Sequence, residues 1–535
     1  MGTYINLGNA GFQSARNSEY VDKSGLIAMI NRTLNTKSRF SCVSRCRRFG
    51  KSMAAEMLCA YYDHSCNSRN LFEDLEIAKD PSFEQHLNKY PVIYLDITNF
   101  TTRNIPSTDI VPVMQEKVTE EILTIYPEVS VSKDDDLMDV LTKVTDRYHT
   151  QFIMIIDEWD AICREAADDK GAMDLYVNLL RRLFKGSNTN QVFAAVYMTG
   201  ILPIKKFKTE SALNNFWEYS MVMPRNLAKY FGFTKEEVRA LAGRMGTDYD
   251  ELEKWYDGYQ IGDQPSMFNP SSVIQAVYAN WCESYWASTG SFDGVARYIQ
   301  MNFEGLKDDV ISMLAGGRCR VNPKGFQNDM SIIESKDDVL TVLIHLGYLS
   351  YDRRTSECYI PNLEVAGEME NAVKTTTWQN VAKAIDKSHQ LLLSTIEGDA
   401  DAVARGIEAA HDENTSILSY NNENSLACVL SIAYYYAKND YIIHRELPTG
   451  KGFADLVLIP RKGVDSPAIV IELKVNKDAD AAIDQIKRKQ YPEKVLQYTD
   501  RSATKETLGL SKNLLLVGIS YDRQTKHHAC KIEKI

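Results

Sequence analysis

The chain of 535 residues has no basic excess, no apolar run of membrane-spanning length and no cysteine pair at CxxC spacing. Each absence excludes something. With 72 Asp+Glu against 61 Lys+Arg the net charge is −11, which rules out a histone-like coat on nucleic acid but leaves room for a local basic groove. Apolar runs such as 152–156 and 514–517 have strand length, far short of the ~20 residues of a spanning helix, so no membrane association is expected. The opening Met1-Gly-Thr-Tyr-Ile-Asn shows neither a basic region nor a long apolar segment, and no secretion signal is expected. The ten cysteines are scattered, Cys42 and Cys46 being the tightest grouping. They read as reduced core thiols of a cytoplasmic protein, not as a disulfide frame or a zinc site. No internal repeat, low-complexity run or flexible linker is visible.

What is present is ordinary globular material, 44% hydrophobic and 25% charged, in a length that accommodates about three or four domains. Charge is uneven. Residues 441–535 carry 17 Lys+Arg and 12 Asp+Glu, or +5, so the preceding 440 residues carry −16. That asymmetry points weakly to an anionic partner for the C-terminal end. In the first ~220 residues, apolar runs at 40–44, 92–95, 152–156 and 192–198 alternate with helical patterns, which predicts a parallel sheet covered on both faces. From about Asn226 polar helices take over, and Thr234 is placed to cap one of them. The amphipathic stretch 337–346, stopped by Gly347 and followed by two short β runs around Asp352-Arg-Arg-Thr-Ser, suggests a winged-helix element. It reads as a lid or spacer, because it is not notably basic. Residues 365–410 read as helical, and from about 425 a compact α/β unit closes with a strand at 513–520.

Between the first strand and its helix lies Arg45-Cys-Arg-Arg-Phe-Gly-Lys-Ser52. A phosphate-binding loop needs backbone N–H groups at a helix N-terminus, a lysine for the β/γ oxygens and a hydroxyl for Mg2+. Gly50, Lys51 and Ser52 supply the last three positions, while Arg45 stands where the first glycine is usual. The bland alternative is a basic turn capped by Ser52. Phe152-Ile-Met-Ile-Ile-Asp157-Glu158 is an apolar strand running into two acids, an order in which Asp157 holds Mg2+ and Glu158 orients the attacking water. A helix starting with acids is the competing reading. Thr199 and Gly200 end a further strand, where Thr199 is either a γ-phosphate sensor or a turn residue.

Tyr20-Val-Asp-Lys-Ser, Arg47-Arg-Phe-Gly-Lys-Ser, Ile156-Asp-Glu-Trp-Asp, Thr199-Gly200, Trp255-Tyr-Asp-Gly-Tyr and Phe268-Asn-Pro-Ser-Ser together resemble the AAA-ATPase-like family of bacterial proteins. Cys46 replaces the family's usual proline, and Trp159 fills a slot often held by tyrosine. The resemblance implies that the missing first glycine is no obstacle to ATP. It implies that Arg48, Gly50, Lys51, Ser52, Asp157 and Thr199 bind nucleotide, that Ser52 and Asp157 hold Mg2+, and that Glu158 directs water.

A second constellation lies near the C-terminus. Asp455 opens the strand Asp455-Leu-Val-Leu-Ile-Pro, and Ala468-Ile-Val-Ile-Glu472-Leu-Lys474-Val follows a turn. Strand alternation puts Glu472 and Lys474 on one face. Charges inside an apolar strand cost several kcal/mol unless paired or metal-bound. Two carboxylates with a lysine suit Mg2+ or Mn2+ held against a phosphate. A structural Glu–Lys ion pair is the alternative. Gln485, Arg488 and Lys489 then form one polar, basic helix face able to follow a nucleic-acid backbone.

The pattern Asp455, Glu472, Lys474, Gln485 and Tyr491 looks like the PD-(D/E)xK nuclease superfamily. Glu446-Leu-Pro-Thr-Gly-Lys-Gly-Phe-Ala-Asp-Leu-Val-Leu is similar to the nuclease domain that often ends AAA-ATPase-like proteins. Such nucleases often add a helical glutamate, for which Glu423 is the candidate alongside the reading of a solvated acid. The resemblance implies catalytic roles for Asp455, Glu472, Lys474 and Gln485, with Asp455 and Glu472 as metal ligands.

The expected architecture is therefore an α/β multidomain chain. It comprises a P-loop parallel α/β ATPase core (1–224), a helical lid (225–300), a winged-helix-like region (301–365), a helical connector (366–410) and a C-terminal PD-(D/E)xK, restriction-endonuclease-like α/β domain (411–535). ATP, Mg2+ (or Mn2+ at the nuclease site) and nucleic acid, with DNA as the expected substrate, are the implied ligands. Oligomerisation is compatible with this plan, as is a role in genome defence or mobile-element biology. From another class comes a nucleotide-gated signalling or scaffold protein whose nuclease-like domain only binds. Two weaker features remain: Arg181-Arg182, a charge-stabilising finger or a solvated face, and His527-His528, read as solvated.

Overall fold

The computed structural model describes residues 2–103, 105–165, 169–204, 206–207, 210–211, 213–286, 292–314, 316–327, 332–375, 378–414, 429–448, 453–461, 464–489 and 514–535. The chain forms two compact units, Met1–Ser288 with Arg320–Glu364, and Thr289–Cys319 with Val365–Ile535. This division differs from the five segments read from the sequence.

In the first unit, five parallel strands stand in the order β2-β3-β4-β1-β5, with β1 Phe40–Ser44, β2 Val92–Asp96, β3 Phe152–Asp157, β4 Phe193–Gly200 and β5 Trp217–Tyr219. All six residues of β3 and all eight of β4 are buried, as strands covered on both faces require. The register aligns the strand ends: Ser44 faces Gly200, Val43 faces Thr199, and Asp96 faces Asp157. Helix α1 (Lys51–Tyr62) begins after Gly50, whose φ of +83° turns the chain from β1 into the helix. Later comes α2 (Lys170–Lys185). Its Arg182 pairs with Asp136 at 2.6 Å and Asp139 at 2.7 Å, the two acids of a capping box, so this arginine serves a helix end and not a phosphate.

Thr234 caps α3 (Lys235–Met245) as expected, its hydroxyl accepting from Glu237 N while Glu237 accepts from Thr234 N. Asn269 caps α4 (Pro270–Ala279), with Pro270 at its first position. The predicted helix, glycine stop and hairpin are present as α5 (Lys336–Leu346), Gly347 and the pair β6 (Ser350–Asp352) and β7 (Glu357–Tyr359). Gly347, at φ +92°, packs against the phosphate-loop region: an added Cβ would stand 2.6 Å from Cys46 Cβ. The Tyr259 hydroxyl donates to the Gly347 carbonyl at 2.8 Å and its ring stands edge-on to Phe49. The loop after β1 is thus braced by elements some 200–300 residues downstream.

The second unit is built on a mixed sheet in sequential order, β8 (Tyr441–Pro448), β9 (Phe453–Pro460), β10 (Ala468–Val475), β11 (Leu514–Tyr521) and β12 (His528–Lys534). All pairs are antiparallel except β10 with β11, and α8 (Ala479–Arg488) lies between these two in sequence, the crossover that parallel pairing demands. Helices α6 (Gln379–Glu397) and α7 (Ala400–Asn414) belong to this unit. Leu391, Val403 and Ile407 enter one apolar cluster with Tyr434, Leu458, Ile471 and Val517. His528, read as solvated, is buried instead. Its ring lies against His411 (3.3 Å between ring nitrogens) and Tyr521, while its neighbour His527 is exposed. Among the described residues no helix is long and apolar enough to cross a membrane.

Gly347→Ala places a methyl group against Cys46 and forces a left-handed backbone on alanine. It should cost on the order of 1–3 kcal/mol and lower the melting temperature by a few degrees in calorimetry. An unchanged melting temperature would contradict this packing.

Candidate nucleotide and nuclease sites

At the carboxyl ends of β1, β3 and β4, the region where parallel sheets bind ligands, a cavity of about 440 Å3 opens. That size is ordinary for a small-molecule site. Arg48, Gly50, Lys51, Ser52 and Glu158 line it, so the predicted loop residues and one acid of the Asp-Glu pair come together. Lys51 is 5% exposed, donates from Nζ to the Cys46 carbonyl at 3.2 Å and stands 3.7 Å from Glu158 Oε1. Arg48, in the left-handed region at φ +68°, donates to the Tyr285 carbonyl at 2.6 Å.

Arg45 explains how the loop dispenses with its first glycine. Its side chain is fully buried, donating from Nη1 to the carbonyls of Ser44 at 2.9 Å and Tyr219 at 2.7 Å. It therefore ties the loop to β5 and stays off the cavity wall. Burial brings its guanidinium pKa down to about 10.

Asp157 and Thr199 are not on the cavity wall. Asp157 is 3% exposed, hydrogen-bonded to the Ser52 side chain and 3.5 Å from the Tyr94 hydroxyl. Burial, with the neighbouring negative charge of Glu158, pushes its pKa up to about 6 even though the Ser52 hydrogen bond works the other way. A divalent cation beside Ser52 and Asp157 would supply the missing positive charge, so the donor set fits Mg2+. The Thr199 hydroxyl is buried without a hydrogen-bond partner, while its carbonyl accepts from Trp159 N at 2.9 Å. Glu158 sits at φ +50°, a conformation that costs a non-glycine residue energy and recurs at functional sites.

The cavity is also lined by residues for which the sequence analysis names no role: Tyr20, Val21, Met57, Phe233, Ile274 and Gln275. Tyr20 and Val21 open the Tyr20-Val-Asp-Lys-Ser fragment, and Pro270 and Ser271 of Phe268-Asn-Pro-Ser-Ser also line the cavity. Those fragments were the available signal. Lys23 joins the first fragment to α3 through a 2.7 Å ion pair with Glu237.

In the second unit, the pairing Leu456↔Ile471 sets Asp455 and Glu472 one step further along the same ladder. Asp455 Oδ2 accepts from Leu473 N at 2.7 Å. Glu472 is 2% exposed. Its Oε1 accepts from Lys474 Nζ at 2.9 Å and from Gln485 Nε2, whereas its Oε2 is buried without a partner. Burial first, then repulsion from Asp455, raises its pKa to about 7. An orphaned carboxylate oxygen beside a second carboxylate fits a divalent cation. Asp455, Glu472, Lys474 and Gln485 therefore converge, while Arg488 is exposed at the end of α8. Glu423 and Tyr491 lie outside the described residues.

Because Glu472 must release a proton to hold a cation, Mn2+ affinity should weaken about tenfold per unit as pH falls below about 7 and level off above it. Titration calorimetry from pH 5.5 to 8.5 checks this; a flat profile would contradict it.

Comparison with known proteins gives two family matches. Residues 8–209 match the family model for a predicted AAA-ATPase, and residues 421–525 match that of the PD-(D/E)XK nuclease superfamily. An uncharacterized protein in the vnfD 5' region of Azotobacter chroococcum mcd 1 is 22% identical over 290 residues, 51% of this chain and 51% of that protein. The chain thus spans about half the length of the curated relative it matches. Among solved structures, Cdc6p from Pyrobaculum aerophilum aligns at 10% identity and TM-score 0.29, covering 70% of this chain and 98% of that one. The ORC2 protein of Aeropyrum pernix aligns at 13% identity and TM-score 0.30, covering 69% and 98%. Likenesses that slight bear on neither fold nor function. The chain joins an AAA-ATPase-like segment to a C-terminal segment of the PD-(D/E)XK nuclease superfamily.

Proposed function

We propose that the protein binds and hydrolyses ATP and cleaves phosphodiester bonds of nucleic acid, with DNA as substrate, in a metal-dependent C-terminal site. The observation that carries the nuclease reading is Glu472, a buried carboxylate with one oxygen held by Lys474 and Gln485, the other buried without a hydrogen-bond partner, and the charge of Asp455 near enough to oppose its ionisation. A purely structural Glu–Lys pair has no use for a second acid that makes it harder to ionise.

In the nucleotide site, Lys51 and the N–H groups at the start of α1 meet the phosphates, and Arg48 and Gly50 shape the loop around them. Ser52 and Asp157 hold Mg2+, Glu158 orients the attacking water, and Thr199 senses the terminal phosphate from the end of β4. In the nuclease site, Asp455 and Glu472 hold Mg2+ or Mn2+, which when bound supplies an activated water and neutralises developing charge. Lys474 steadies the scissile phosphate, and Gln485 fixes the Glu472 rotamer.

Nucleotide state is further proposed to control access to the nuclease. The support is a route of contacts leading from the loop. Arg48 holds the Tyr285 carbonyl, the N–H groups of Tyr285 and Trp286 donate to Glu364 at 2.9 and 3.1 Å, and Glu364 is the last residue before the chain passes into the second unit. Recruitment of Arg48 to a phosphate would loosen the first link. A place in the cytoplasm and in genome defence or mobile-element biology suits such a switch, and oligomerisation is compatible with it.

Lys51→Ala should weaken ATP binding at least tenfold by fluorescence titration, and undiminished affinity would refute the nucleotide site. Plasmid and single-stranded DNA incubated with Mg2+ or Mn2+ should be cut by the wild type, and about a hundredfold or more slowly by Asp455→Ala and Lys474→Ala. Equal cutting by all three would refute the site. No cutting by any of them, with ATP-dependent assembly retained, would favour the signalling or scaffold reading.

A further inference from the structure

The fifth residue of Ile156-Asp-Glu-Trp-Asp, Asp160, takes no part in the sites described above, yet it is fully buried. Its carboxylate accepts from Ile201 N at 3.2 Å and Leu202 N at 2.9 Å, clamping the chain just beyond Thr199 and Gly200. The approach is so close that a Cβ at Gly200 would stand 2.5 Å from Asp160 Oδ1. The other partner of Asp160 is Arg164, on the short helix Ala161–Glu165, with Nε 3.2 Å from Oδ2. Arg164 reaches onward from Nη2 to Glu158 Oε2. Glu158 is thereby divided: Oε2 is anchored to Arg164, and Oε1 faces Lys51 at 3.7 Å on the cavity wall.

We propose that Arg164 and Asp160 are a positioning pair for ATP hydrolysis, fixing the Glu158 carboxylate so that one oxygen is held and the other is presented to the water that attacks the terminal phosphate. The proposal rests on the ATPase reading above. Neither residue lines the cavity, so both act through Glu158. Glu158 itself stands at φ +50° at the end of β3, and without an anchor its side chain would sample rotamers pointing away from the phosphate. The fork of the guanidinium is what allows one side chain to bridge two carboxylates. A lysine ammonium keeps the charge but, as a point donor on a flexible stem, does not reproduce the bridge. Because Asp160 is tied to β4, the same strut keeps Glu158 in step with Thr199.

The test uses the full chain as wild type, Arg164→Lys, Arg164→Ala, Glu158→Gln and the double variants with Glu158→Gln. Three quantities are read: ATP dissociation constant, kcat for hydrolysis, and affinity for ADP with Mg2+ and aluminium fluoride, a mimic of the transferring phosphoryl group. Arg164→Lys guards against misfolding, since it leaves no buried carboxylate without a cation nearby. Expected are ATP affinities within about threefold of wild type, with at least tenfold losses in kcat and in affinity for the aluminium fluoride complex. No further loss should follow in the Glu158→Gln background, because the pair has no other route to the reaction.

Unchanged kcat and analogue affinity in Arg164→Lys and Arg164→Ala would overturn the proposal and leave the ATPase reading standing. So would a loss repeated in full on Glu158→Gln, or a parallel loss of ATP affinity, the marks of a structural role. A wild type that binds ATP without turning it over leaves the analogue affinities to decide. A wild type that binds neither ATP nor the analogue overturns the ATPase reading and this proposal together.

Discussion

The register of the parallel sheet is the constraint on which the candidate nucleotide site depends. Because Ser44 faces Gly200 and Asp96 faces Asp157, the ends of β1, β3 and β4 deliver the phosphate loop, the Asp-Glu pair and Thr199 to one edge. A slip of one residue on β3 would turn Asp157 to the other face of the sheet. The apolar strands that look like mere core are therefore the positioning device.

Both candidate sites use one electrostatic device, a carboxylate kept from water and left short of positive charge. Asp157 is driven up to about 6 and Glu472 to about 7 by burial reinforced by a neighbouring acid. Such groups weaken a fold unless something else is gained, because ionising them away from water is costly. A divalent cation reverses that cost, and perturbed carboxylates of this kind cluster where chemistry is done. Arg164 and Asp160 show the other way of keeping charge inside a protein: one guanidinium bridges two acids, and backbone N–H groups satisfy what remains.

Much of this was legible in the sequence, for identifiable reasons. Strands β1 to β4 and β10 announce themselves as short apolar runs; Asp157, Glu472 and Lys474 stand at their ends or on them, where period-two alternation fixes their faces, while Lys51 and Ser52 open the helix that follows β1 and Asp455 lies on β9. Thr234 and Gly347 are local signals, a cap and a helix stop, and both hold. What could not be read depends on contacts between distant segments. Nothing near Tyr20 or Ile274 in sequence says that they share a cavity wall with Lys51. Whether α6 and α7 act as a free connector or cover the C-terminal sheet is decided by Leu391 and Ile407 meeting Leu458 and Ile471. Arg182 was ambiguous until Asp136 and Asp139 appeared beside it, and His528 looked solvated because a dipeptide cannot reveal His411 and Tyr521 across the fold.

The proposed function requires two separate phosphate-handling sites in one chain, each built to take a divalent cation. Anomalous diffraction from crystals grown with ATP and Mn2+ tests it most directly. Two Mn2+ peaks per chain are expected, one within reach of Ser52 and Asp157 beside the nucleotide phosphates and one between Asp455 and Glu472. Nucleotide bound elsewhere, or Mn2+ absent from the Asp455–Glu472 pair at saturating concentration and pH above 7, would contradict it.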